Sequence, residues 1–199
     1  MRSLPPWAAF VTIVGLAGCG KNPDQWAPLA QDAEWTYAVK TGLNSSVQTV
    51  KVVEPTPIDG ERGWRLEGPG GESRLVWRRG KLYAAALGGT RFSPPILWLD
   101  PNKPPKPEDA PEFENRPKVR TLVSTAHRSF DAEIQSQTVL SKFRVGGKER
   151  SALKSTVRMT LGGRPTILTT WFSPGLGPVR QEIYNGEALR QMVDYLKGP

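Results

Sequence analysis

The sequence predicts an all-β domain: an antiparallel meander of about ten strands forming an open or closed barrel, broken once by a long Pro-rich loop. Three observations predict it. From residue 34 onward apolar residues alternate with polar ones over short runs, the pattern of half-buried strands. Turn formers separate these runs, among them Gly146-Gly147, Gly162-Gly163 and Asn185-Gly186, which accept positive φ at both central positions of a two-residue hairpin turn. Gly and Pro together make up 39 of 199 residues, so elements must be short. No internal repeat of 20 to 50 residues is apparent, which argues against a propeller or solenoid.

Taken in order, Trp35, Tyr37 and Val39 share one face of the first run, and Val47 to Val53 follows after Gly42 and Asn44. The stretch Pro55 to Gly60 reads as a turn before Trp64 and Leu66. Gly68-Pro69-Gly70-Gly71 separates these from Leu75 and Trp77. Arg79-Gly80 leads into Lys81 to Leu87, and Ile96 to Leu99 forms a shorter run after two prolines. Residues 101–117 contain six prolines amid dense charge, so no regular element can run through them. They read as a loop rather than an interdomain linker, because neither flank alone holds enough apolar residues for a core. The expectation is one domain over residues 34–199.

The second half continues with Val119 to Val123, Ile134 to Val145, Ser155 to Leu161, Ile167 to Phe172 and Leu176 to Tyr184. Asn185-Gly186 then predicts a hairpin to a last strand over Glu187 to Leu196, although Leu189, Met192, Val193 and Leu196 also fit a helical period. The phrase from Trp171 to Arg180, an aromatic strand end reversed by Pro174-Gly175, resembles a turn of β-rich bacterial envelope proteins. The overall plan is similar to the half-barrel lipid and lipoprotein carriers of the LolA and LolB kind, a resemblance that implies a hydrophobic interior.

At the amino terminus Arg2 precedes an uncharged run from Trp7 to Gly18, too short for a bilayer span of roughly 20 residues but the length of a signal-peptide core. It ends in Leu16-Ala17-Gly18-Cys19, which resembles the lipobox of bacterial lipoproteins. The resemblance implies that residues 1–18 are a signal peptide cleaved between Gly18 and Cys19. Cys19, the only cysteine, would then carry diacylglycerol and, after acylation, palmitate-type chains. One chain anchors only marginally, so the family's two or three would be needed. Residues 19–33 are then expected as a lipidated tether, with the domain facing outside the cytoplasm. Gly20 stands where enteric lipoproteins retained in the inner membrane have Asp, which favours the outer membrane and a periplasmic domain in a host that has one.

Removing residues 1–18 takes away only Arg2, so the domain stays basic, with 26 basic against 19 acidic residues. Anionic envelope surfaces fit that balance. Nucleic acid does not, since basic residues occur singly or in pairs such as Arg78 and Arg79. No catalytic residue is expected. His127 is the lone histidine, and the nearby Ser124 and Asp131 fall on mixed strand faces. One histidine and a lipid-committed cysteine leave no metal centre and no cofactor in view. The carboxylates Glu108, Asp109, Glu112 and Glu114 lie in the Pro-rich loop and read as solvated charge, and Asn44-Ser45-Ser46 reads as a loop.

The aromatic set is the strongest functional signal. Trp35, Tyr37, Trp64, Trp77, Trp98 and Trp171, with Tyr83 and Phe172, are spread over many strands. If their faces converge they either fill a core or line a cavity for a lipid or other hydrophobic ligand, with Arg65, Arg74 or Arg78 at its mouth for an acidic head group. The expected function is a non-enzymatic, membrane-anchored lipoprotein that binds a hydrophobic or amphipathic envelope component. The alternatives are a lipoprotein that docks an envelope protein and has no cavity and, third, an unrecognised hydrolase.

Overall fold

The computed structural model describes residues 23–161 and 163–199. The signal segment, Gly18, Cys19 and Gly162 lie outside the described residues. Twelve strands form one closed barrel: β1 (Glu34–Thr41), β2 (Asn44–Ile58), β3 (Glu61–Glu67), β4 (Ser73–Arg78), β5 (Lys81–Leu87), β6 (Thr90–Leu99), β7 (Val119–Ser124), β8 (Ser129–Val145), β9 (Lys148–Leu161), β10 (Arg164–Ser173), β11 (Gly177–Asn185) and β12 (Ala188–Lys197). Every strand pairs antiparallel with its sequence neighbours, and β1 closes the barrel against β12, with Val39 opposite Val193. Closure removes the open sheet edges that an incomplete meander would expose.

The alternation read from the sequence is carried through the ladders. On β1, Trp35, Tyr37 and Val39 are buried and Thr36, Ala38 and Lys40 are not. The final run is a strand, because its pairing with both β11 and β1 satisfies backbone groups that a lone helix would satisfy alone. Two features differ from the sequence reading. Pro55 and Pro57 lie inside β2, opposite Trp64 and Arg62, rather than in a turn. Pairing with β1 stops at Lys51, so beyond it β2 has a neighbour on one side only and a proline needs no second ladder bond.

The segment 23–33 also differs from the tether expected there. It begins with a short 3₁₀ turn (Pro23–Trp26) and packs across the barrel. Gly175 N–H donates to the Gln25 carbonyl (2.7 Å), Val52 N–H to the Ala33 carbonyl (2.8 Å), and Ala27 is fully buried. Trp26, Ala27 and Leu29 supply apolar area that a free tether would leave in water.

In a meander, successive turns alternate between the two ends of the barrel. The turns after β1, β3, β5, β7, β9 and β11 share one end, here called the upper end. The turns after β2, β4, β8 and β10 share the lower end with the long loop between β6 and β7 and the entering N-terminal segment. The loop is fixed to β8: Gln135 Nε2 donates to the carbonyls of Phe113 (3.0 Å) and Arg116 (2.9 Å), Gln137 Nε2 to Pro111 (2.8 Å), and Leu140 N–H to Pro105 (2.8 Å). It is part of the single barrel domain.

Candidate functional site: a cavity in the upper half of the barrel

A twelve-stranded barrel is wider than the eight-stranded one that side chains just fill, so its interior must be plugged or hollow. The lower half is plugged. Phe172 and Leu153 sit opposite one another on β10 and β9 with no exposed surface. Trp98 meets Phe172 edge to face, centroids 5.1 Å apart at 75°, and its indole N–H donates to Thr170 Oγ1 (3.3 Å). The N-terminal segment and the start of β1 seal the rest: Ala27 and Leu29 face the interior, and Trp35 Nε1 donates to the Leu176 carbonyl (2.7 Å).

Above this floor lies a cavity of about 480 Å³, within the range of small-molecule sites. Its walls are apolar: Val39, Val50, Leu66, Leu75, Leu168 and Ile183 come from different strands around the barrel, with Phe92, Phe130 and Met159 between them. Polar groups are few and include Gln48, Gln181 and Gln191. Among the described lining residues there is no carboxylate, histidine or cysteine.

The rim at the upper end is built partly of glycine. Gly68, Gly70 and Gly71 in the β3–β4 turn and Gly88 in the β5–β6 turn line the cavity. Gly71 has φ of +108°, and a Cβ there would sit 2.9 Å from the Gly89 nitrogen, while Gly89 N–H donates to the Glu72 carbonyl (2.8 Å). Only glycine lets the two turns approach this closely.

The same barrel occurs in solved structures of bacterial proteins. One is a candidate lipoprotein from Parabacteroides distasonis (TM-score 0.53, 10% identity, covering 86% of this chain and 96% of that one). Another is a candidate exported protein with a YmcC-like fold from Bacteroides fragilis (TM-score 0.51, 9% identity, covering 85% of this chain and 96% of that one). The chain shares their fold. No protein-family model matches the sequence, and no curated protein matches it.

Of the six aromatic residues expected to line an interior, Trp35, Tyr37 and Trp98 do so. Trp64 and Trp77 do not. They pack against the core without lining the cavity, Trp64 opposite Leu75 and Trp77 opposite Leu82, and Arg62 lies 5.5 Å from the Trp64 ring. Trp171 is turned outward, since neighbouring residues on a strand face opposite sides and Phe172 takes the inward place. Its ring contacts Phe143 and lies within 6.0 Å of both Lys154 and Arg180. Tyr83 is likewise outside the cavity, under the Arg78 guanidinium at 5.8 Å.

The arginines expected at the mouth are corrected in the same way. Arg65 and Arg74 lie opposite one another on the face away from the cavity, where Arg65 is bound by Glu54 and Glu67 and Arg74 by Glu72. Those carboxylates push the Arg65 pKa still higher, Glu67 most strongly. Arg78 is at the lower end, paired with Asp59 (3.0 Å) and Glu61 (3.3 Å). Arg180 borders the cavity from β11, but it stands opposite Trp171 and its guanidinium lies on the outer face, tied to Glu182 (2.7 Å) and Asp194 (3.5 Å). Elsewhere, Ser124 Oγ is 2.9 Å from Ser129 Oγ, while His127 and Asp131 are exposed, so the three form no relay.

Tyr37 is the most perturbed group of the site. Burial, with the neighbouring Tyr195 as a lesser cause, raises its phenol far above the ordinary value of 10.0, and its hydroxyl donates to the Pro178 carbonyl (3.1 Å). A folded-state value above the unfolded one stabilises fully below about pH 10 and is lost as pH rises. The unfolding free energy should therefore fall by up to about 1.4 kcal/mol per pH unit above pH 10 from this group. Urea titrations of wild type and Tyr37→Phe between pH 8 and 11.5 check this. The variant should show a shallower decline, and parallel curves would contradict it.

Proposed function

We propose that this chain is a membrane-anchored bacterial envelope lipoprotein, non-enzymatic, whose barrel holds a hydrophobic or amphipathic envelope component. The observation that carries the reading is the hollow upper half of the barrel, with apolar walls, a sealed floor and a few hydrogen-bonding groups for a polar head. A lining with glutamines but, among the described residues, no acid, base or nucleophile pair suits holding a ligand rather than transforming it. The lipobox at Leu16 to Cys19 supports the anchor. The fold shared with a candidate lipoprotein and a candidate exported protein supports the same compartment. Gly20 after the lipidated cysteine favours the outer membrane.

Two measurements test the reading separately. Radioactive palmitate should label the wild type and not Cys19→Ser, and the variant should leave the membrane fraction. An unlabelled wild type removes the anchor. Organic extraction of gently purified protein, followed by mass spectrometry, should release an amphiphile in stoichiometric amount. A protein that yields none, and takes up no added amphiphile, removes the carrier.

A further inference from the structure

The N-terminal segment enters at the lower end of the barrel, opposite the cavity mouth, and that end carries a second feature with no role so far. β8 and β9 are the longest hairpin of the protein, and its outer part pairs only with itself. Pairing with β10 ends at Leu153 and pairing with β7 ends at Ile134, whereas β8 and β9 stay paired out to Val145 and Lys148. Phe143, packed on Trp171 with centroids 6.0 Å apart, braces the arm against the barrel wall.

This arm is strongly basic. Between Ser141 and Ala152 it holds Lys142, Arg144, Lys148 and Arg150 against the single acid Glu149, a net charge of +3. Glu149 is paired with Lys142 (2.9 Å), and Arg144, Lys148 and Arg150 are exposed with no carboxylate within ion-pair distance among the described residues. The Pro-rich loop at the same end is balanced, with Lys103, Lys106, Arg116 and Lys118 against Glu108, Asp109, Glu112 and Glu114. Of these two segments, the arm alone carries excess charge.

We infer that the β8–β9 arm, through Arg144, Lys148 and Arg150, is a contact surface for anionic phospholipid head groups of the membrane that holds the anchor. Chain length brings the arm within reach of the membrane once the anchor is in place, and the inference rests on the lipid assignment of Cys19. Four residue steps lead from Cys19 to Pro23, a reach of at most about 14 Å. Pro23 lies beside the β10–β11 turn, because Gln25 accepts the Gly175 hydrogen bond there. The five residues of β9 beyond Leu153 extend about 17 Å from that same end at strand rise. The arm thus reaches as far as the tether allows the bilayer to recede. Its charge makes the approach favourable, and the cavity mouth is left facing away from the anchoring membrane.

The test uses Cys19→Ser protein, so that lipid plays no part, sedimented with vesicles of phosphatidylglycerol and phosphatidylcholine or of phosphatidylcholine alone. Binding is expected to the anionic vesicles only and to fade as salt is raised. Each basic group near an anionic surface contributes about five-fold to partition, so Arg144→Gln with Lys148→Gln and Arg150→Gln should lower it on the order of 100-fold. Lys40→Gln with Arg128→Gln and Arg164→Gln removes the same charge from exposed positions at the upper end and should change partition less than about three-fold. Equal losses in the two triple variants, or equal binding to neutral vesicles, overturn the assignment of the arm. Failure of palmitate labelling with anionic binding intact removes the anchor and leaves the surface standing.

Discussion

Phe172→Ala is expected to lower the unfolding free energy by about 3–5 kcal/mol, the cost of a large cavity in a packed core. In a domain of this size the thermal midpoint should fall by roughly 6–20 °C. Phe172 has no exposed surface and stands edge to face with Trp98, so its ring closes the floor between the plugged and hollow halves of the barrel. Removing it leaves a void that Trp98 cannot fill while its indole stays bonded to Thr170. The neighbouring Trp171→Ala makes the comparison decisive. Trp171 is a larger side chain, yet it lies on the outer face against Phe143, Lys154 and Arg180, where water can replace it. It should cost less than half as much. Urea unfolding of both variants measures the difference, and similar losses would contradict the inward and outward assignment of this pair.

That pair also marks the limit of what the sequence reveals. Period-two alternation and the Gly-Gly and Asn-Gly turns made the strands and their antiparallel order legible, because both are local properties. Alternation identifies a face, not a height along the barrel. Trp64, Leu66, Leu75 and Trp77 all read as one inward set, but Leu66 and Leu75 line the cavity while the two tryptophans pack against the core without lining it. Height is fixed by register against other strands, and bulges such as that between Trp171 and Phe172 shift it without any sequence signature. The N-terminal plug was hidden for a related reason. Trp26, Ala27 and Leu29 have no periodicity, and their burial depends on Gly175 and Leu176, about 150 residues away along the chain, leaving a gap they can fill. Strand closure between β1 and β12 is equally non-local, so an open and a closed barrel are indistinguishable until the ends are seen to pair.

If the cavity is the ligand site, Ile183→Trp should abolish it while leaving the fold intact. Ile183 lines the cavity from β11 and is only half-buried, so an indole there would extend into open space rather than into packed neighbours. Overpacking a filled core costs about 1–3 kcal/mol, and with room available the cost here should fall below about 1 kcal/mol. Affinity for the fluorescent apolar probe N-phenyl-1-naphthylamine should drop at least about 10-fold, because the probe loses the apolar area that the indole now covers. Val47→Trp provides the control. Val47 is exposed on the outer face of β2, opposite Ala38 and next in sequence to Gln48, and the substitution adds similar bulk outside the barrel. It should leave probe affinity unchanged. A fluorescence titration in which Ile183→Trp binds as wild type would place apolar binding on the outer surface, where Leu43, Val47 and Leu189 are exposed, and the hollow interior would then need another explanation. Loss of binding with a preserved unfolding midpoint ties the ligand to the space above Trp98 and Phe172, since no other change separates the two variants.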